Sequence, residues 1–419
     1  MKLFSLSIIL LLSLSAHLAA EESRTWTSTA GSTLEGRLIS SSATEVTLEK
    51  NDGGQLTLKL NQLVADDQAF VREQAKLANR GETSVDGLEA EPGRISGEIQ
   101  CQADSEWSYY LYLPKDFHTG EKWPVCFVMD PGGGHGGTLD RYTAAAERFG
   151  VILAASKQSK NEFDRPEDAV LAITKDVYDR VPIAEELSFA SGFSGGSRMA
   201  YRLAELEDNI AGIVACGSGA GVYPQGANFR SADVPRGVIV CSLMGANCFN
   251  RSEAISSQER LPRNSRLIWF PGNHDWANSD EIEEGLAHVY GWTLAQNQDR
   301  ETAPRREEFA QTLLSYAREH QEDAPWRALR WARFLTEELP SSLEKEASAL
   351  VSTLENEARA QRGLEAAEAM NEFAEEYFHS GDHTAEPASH RAASDLAEEF
   401  AGLPQADTIK RMGEPSPAP

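Results

Sequence analysis

Residues 187–200 read Leu-Ser-Phe-Ala-Ser-Gly-Phe-Ser-Gly-Gly-Ser-Arg-Met-Ala. The apolar run 187–190 has the make-up of a buried strand, and Met199, Leu203 and Leu206 share one helical stripe beyond it. Between them stand Gly192, Phe193, Ser194, Gly195 and Gly196. A strand, this G-x-S-x-G run and a helix together describe a turn so tight that the serine backbone is strained and side chains beside it must be absent. Ser194 is therefore expected to lift its hydroxyl above a sheet edge. It should stand at a helix N-terminus, where backbone N–H groups favour a developing oxyanion. The five residues alone also fit an ordinary Gly/Ser turn; the strand before them and the helix after them favour a nucleophile elbow.

A chain of 419 residues exceeds one ordinary hydrophobic core, so two or three domains are expected. Its net charge of −26 repels phosphate backbones and argues against a nucleic-acid partner. The excess acid is concentrated in the Glu-rich C-terminal third. Residues 1–20 have the pattern of a secretory signal: Lys2, an apolar stretch over 3–14, and small residues from Ala16 to Ala20. The apolar run is too short for a membrane span, and export to the periplasm or the exterior is expected. No Cys stands at the cleavage region. The five cysteines, 101, 126, 216, 241 and 248, are odd in number and follow no metal-binding spacing. No metal or other cofactor is expected, and no disulfide is assigned.

Residues 24–76 alternate as short strands around the hairpin turn Asn51-Asp52-Gly53. With Arg24-Thr-Trp-Thr27, the alternating run 56–60 and the stretch from Leu63 to Phe70 and Val71, this segment resembles the SLA homology domain 1 family. The resemblance implies a small SH3-like β-barrel and, from the family's adaptor members, protein binding. An accessory domain without a ligand of its own is the favoured reading. Residues 77–95 read as a polar linker. Over 96–297 apolar strands alternate with helical patterns, which predicts a mostly parallel, doubly wound sheet covered on both faces. Ligand sites in such sheets lie at the carboxyl ends of the strands. From 303 to 404 the pattern is helical, with Glu-rich faces read as solvated surface, and predicts a bundle or an array of helical hairpins. Trp326, Trp331 and Phe334 are read there as packing residues. Residues 405–419 are expected to form a disordered tail.

Serine is a weak nucleophile until a base takes its proton. Of nine histidines, His274 alone follows a late apolar strand on a glycine-bearing loop, Pro271-Gly-Asn-His-Asp-Trp276. It lies about eighty residues after Ser194, the chain order expected for the base. After the strand at 125–129 comes Asp130-Pro-Gly-Gly-Gly-His-Gly-Gly137. Its backbone at Gly132 and Gly133, with the N–H of Gly195, is the candidate oxyanion hole. A phosphate loop is excluded by the absence of a Gly-Lys-Ser/Thr end. His135 could touch substrate, although a tolerated loop residue is the plainer reading.

Taken in order, Asp130-Pro-Gly-Gly-Gly, Gly192-Phe-Ser-Gly-Gly-Ser-Arg198 and Gly272-Asn-His-Asp-Trp276 make residues 96–297 similar to α/β-hydrolases of the poly(hydroxyalkanoate)-depolymerase and feruloyl-esterase type. The resemblance implies Ser194 as nucleophile, His274 as base and the 132–133 backbone as part of the oxyanion hole. It also implies an Asp after the strand that ends near Leu243. This chain has Cys248 there, within Gly245-Ala-Asn-Cys-Phe-Asn250. The candidate orienters of His274 are then Asn247, Cys248 and Asn250. Asp233 falls at the wrong end of its strand, and Asp275 and Asp280 are near only in sequence. The expected function is an exported serine hydrolase acting on a carboxylic ester, polymeric or carbohydrate-linked, through an acyl-enzyme. The alternative is a catalytically impaired hydrolase-fold scaffold that binds protein through the barrel or the C-terminal helices.

Overall fold

The computed structural model describes residues 16–17, 23–42, 44–78, 81–220, 237–297, 302–378 and 387–416. Most of the expected leader, Asp233, and His379 and His383 of a loose histidine group in the C-terminal region lie outside them. The chain divides into two units. One holds the described residues up to Thr83 with His118–Glu121, the other the remainder.

In the first unit, β1 (Ala16–His17), β2 (Arg24–Thr27), β3 (Thr33–Ser41), β4 (Glu45–Lys50) and β5 (Gln55–Lys59) form one antiparallel sheet. It curls until Ser28 bridges Leu63. Alternation along the strands turns Trp26, Leu38, Val46 and Leu48 into one small core, where Leu63 and Val71 join them. The run expected to finish a barrel is instead helical from Ala65, forming α1 (Ala65–Ala78). Phe70 and Val71 reach the core from that helix: Phe70 meets Trp26 edge-on at 5.7 Å.

The second unit carries an eight-stranded sheet of β6 (Ile99–Gln100), β7 (Ser108–Tyr112), β8 (Trp123–Met129), β9 (Ile152–Ser156), β10 (Ile183–Phe193), β11 (Ile210–Cys216), β12 (Ile239–Gly245) and β13 (Arg266–Phe270). Their order is β6-β7-β9-β8-β10-β11-β12-β13. The last six strands are parallel and β6 and β7 are antiparallel to their neighbours. That order, with helices on both faces, is the α/β-hydrolase arrangement. The central strands β8 and β9 are buried at every residue, as a two-sided sheet requires.

The helices in chain order are α2 (Gly136–Asp140), α3 (Thr143–Phe149), α4 (Pro166–Arg180), α5 (Gly195–Leu206), α6 (Arg251–Gln258), α7 (Ser279–Gln296), α8 (Ala303–Glu319), α9 (Pro325–Glu337), α10 (Glu344–Leu354), α11 (Ala358–Phe378), α12 (Pro387–Glu399) and α13 (Pro404–Met412). On one face α4 and α5 bury Ile173, Val177, Met199 and Leu203 against the sheet. On the other, α3 and α7 share a core with Phe309, Leu313, Trp331 and Phe334 from α8 and α9. Trp326 is only partly buried. The first C-terminal helices thus thicken a layer of the second unit's core. Further along, Met370, Phe373, Ile409 and Met412 pack with Met244 and Trp269 of β12 and β13.

Two expectations about the connecting segments are corrected. Residues 405–419 are not a free tail up to their last described residue, because α13 buries Ile409 and Met412 completely. Residues 84–95 of the expected linker instead belong to the second unit, with Val85, Leu88 and Ala90 in its core. Among the described residues, no helix is long and apolar enough to cross a membrane.

Candidate active site

Ser194 sits between β10 and α5 with φ 53° and ψ −116°. For a residue with a Cβ this is a strained conformation, held here from both sides. Its own N–H donates to the Cys216 carbonyl of β11 at 2.9 Å. A Cβ on Gly196 would overlap the Met129 carbonyl at the end of β8, so the elbow can approach that strand only as glycine.

The loop after β13 brings His274 to the serine: Nε2 lies 2.8 Å from Ser194 Oγ. The ring packs between Phe193 and Phe249, at centroid distances of 4.8 and 4.1 Å. The loop after β12 supplies the group behind it, where Cys248 Sγ is 3.1 Å from His274 Nδ1. Cys248 is fully buried, and burial pushes its thiol up to about 12, so it is a neutral S–H at ordinary pH.

The other two candidate orienters face elsewhere. Asn247 Nδ2 donates to the Pro415 carbonyl at 2.9 Å, and Asn250 Nδ2 to the Gly217 carbonyl at 3.2 Å. The expected donors Gly132 and Gly133 are corrected. The first N–H is held by Asp130 Oδ1 at 2.8 Å and the second by the Asp130 carbonyl at 2.9 Å. The cause is a local turn in which the aspartate caps its own loop. His135 does the same for α2, with Nδ1 accepting from the Gly137 N–H. Gly195 opens α5, a helix of 12 residues that begins directly after Ser194. A Cβ on Gly195 would collide with the Asn161 side chain, which therefore lines the elbow.

The sequence reading missed a charged group beside the site. Arg198, one turn into α5, forms a two-toothed ion pair with Glu253 of α6, at 3.1 and 2.5 Å. Ser218 Oγ donates to the same carboxylate at 2.6 Å. The only trace of it in the sequence is an arginine near the start of a helix.

His274 titrates below its ordinary 6.5, first because it is buried and then because Arg198 is near, with Asp275 and Glu253 pulling weakly the other way. A base must be unprotonated to act, so a lowered pKa moves the acidic limb of activity downward in pH. The limb of kcat/KM is expected below pH 6.5, and Arg198→Met should move it upward. A limb that stays in place in that variant would contradict this electrostatic account.

Among the described residues, no group of three His, Cys, Asp or Glu side chains is placed to hold a metal ion. The cysteines are all buried free thiols.

No protein-family profile matches the chain, and no curated protein matches it either. Solved structures do. The chain is similar to an S-formylglutathione hydrolase from Staphylococcus aureus, at 12% identity and a TM-score of 0.38, over 47% of this chain and 100% of that one. It is similar to a ferulic acid esterase from Anaeromyces mucronatus, at 17% identity and 0.36, over 50% and 94%. The feruloyl esterase module from Clostridium thermocellum is a third, at 13% and 0.37, over 50% and 94%.

Proposed function

We propose that this chain is a serine carboxylic-ester hydrolase. One observation carries the reading: a serine hydroxyl, strained into position at a strand–helix turn, lies 2.8 Å from an imidazole nitrogen. In the reaction His274 Nε2 takes the Ser194 proton as Oγ attacks the ester carbonyl. The oxyanion forms over the N-terminus of α5. The imidazolium then hands its proton to the leaving alcohol, and water repeats the cycle on the acyl-enzyme. Phe193 and Phe249 pack against the ring. No cofactor takes part. The substrate class is a carboxylic ester, polymeric or carbohydrate-linked, met outside the cell; the leader-like residues 1–20 support export. A protein partner for the first unit or the C-terminal helices belongs to the same proposal.

Purified full-length protein should hydrolyse p-nitrophenyl acetate, and Ser194→Ala should not. In a complete triad, losing the serine costs about 2 × 10⁶ in kcat and losing the acid alone about 3 × 10⁴. A chain already without the carboxylate therefore has roughly 10² left to lose. Equal rates for the two proteins would sink the proposal. The thiol at position 248 favours a second reading, a scaffold that keeps the fold and has lost the reaction. It expects background hydrolysis in both proteins.

A further inference from the structure

The contact behind His274 leaves open which partner donates. A neutral imidazole carries one ring proton, and only the form with that proton on Nδ1 leaves Nε2 able to receive the Ser194 proton. If the Cys248 S–H pointed at Nδ1, the ring proton would sit on Nε2 and the base would be disabled.

The surroundings of the sulfur resolve this. Cys248 Sγ has a second neighbour, the Gly217 carbonyl at 3.7 Å, within reach of a thiol donor. That oxygen already accepts Asn250 Nδ2–H at 3.2 Å, and a carbonyl has lone pairs for two donors. With S–H directed at Nδ1, the buried pair makes one hydrogen bond. With S–H directed at Gly217, it makes two: Nδ1–H to sulfur and S–H to carbonyl. Buried polar groups settle into the arrangement that satisfies more of them. Both phenylalanines pack against the ring, at centroid distances of 4.8 and 4.1 Å.

We propose that Cys248 is a positioning residue: it donates its S–H as a hydrogen bond to the Gly217 carbonyl, accepts Nδ1–H from His274, and thereby holds the tautomer in which Nε2 is bare toward Ser194. Gly217 and Asn250 complete the hydrogen-bond chain. Orientation is thus separated from charge, since sulfur fixes the ring as a carboxylate would but offers no negative charge to the imidazolium. This rests on the reading of His274 as the base, and its test reads the ring itself rather than turnover.

The full-length protein is labelled with ¹⁵N-histidine and its ring nitrogens are read by two-bond ¹H–¹⁵N correlation above the His274 pKa, with His274→Ala supplying the assignment. The wild type should show His274 protonated at Nδ1. Cys248→Ala should convert it to the Nε2–H form and lower kcat with little change in KM. That loss is bounded by the roughly 10²-fold that the chain has left to lose. Cys248→Ser, whose hydroxyl can also accept and donate, should restore Nδ1–H. Unchanged signals from the other histidines show that each variant is folded. An Nε2–H ring in the wild type, or a tautomer indifferent to Cys248→Ala, would overturn the proposal. Absence of hydrolysis with the expected tautomers would instead count against the esterase reading alone.

Discussion

Cys248→Asp should raise ester hydrolysis, by less than about 10⁴-fold. That ceiling is the cost of neutralising the corresponding aspartate in a serine protease, where both tautomer control and stabilisation of the imidazolium are lost. Here the tautomer is already controlled, so the gain comes from charge. The site opposes it in one respect: the Gly217 carbonyl 3.7 Å from the sulfur would face the new carboxylate. The Asn250 backbone N–H, which already pulls the Cys248 thiol downward, is the donor placed to offset the repulsion. Steady-state kinetics on a p-nitrophenyl ester reads the gain. No gain in a folded Cys248→Asp protein would mean that more of the site than one residue has drifted, and would favour the scaffold reading.

Glu284→Leu should destabilise the second unit by about 3–5 kcal/mol, the cost of removing one partner from a buried ion cluster. Glu284, on α7, is 3% exposed and ion-pairs with Arg266 of β13 at 2.7 Å, and with Arg327 and Arg330 of α9 at 2.8 and 2.9 Å. Without it three guanidinium groups share a site with no anion between them. Burial pushes the Glu284 carboxyl up, but Arg266 and Arg327 outweigh that and hold it below its ordinary 4.5. A depressed carboxylate adds stability that is complete above its unfolded pKa and is lost as pH falls through the folded one. The gap between wild type and Glu284→Gln in urea unfolding should thus be full at neutral pH and narrow only below about pH 4.5. An unchanged midpoint in Glu284→Leu would mean that the C-terminal helices are not held to the sheet through this cluster.

How much of this could be read in advance depends on the range of the interactions involved. The elbow is local: strand, glycines and helix lie within 20 residues, and the strain falls where the glycines are. His274 was marked by a loop after an apolar strand, and Cys248 by its place in a short loop after another. What could not be read is what long-range packing decides. Gly132 and Gly133 looked like free donors because the sequence does not show Asp130 folding back on its own loop. Asn247 and Cys248 are adjacent, yet one faces Pro415 and the other His274, a choice made by the loop's backbone. The Arg198–Glu253 pair joins helices 55 positions apart in sequence. The stripes of α8 and α9 were visible, but a stripe does not say whether it meets another helix or a sheet. In α13, Ile409 and Met412 stand three apart after Pro404 at the helix start, a short pattern outweighed by the polar residues around it.

Ser194 as the residue that becomes acylated is open to one decisive assay. The full-length protein is treated with a fluorophosphonate, digested, and the adduct located by peptide mass mapping, with His274→Ala treated in parallel. The adduct should lie on Ser194, form faster as His274 loses its proton, and nearly vanish when the imidazole is removed. A folded protein with no adduct on Ser194, or one equally abundant without His274, would contradict the proton transfer on which the proposed chemistry stands.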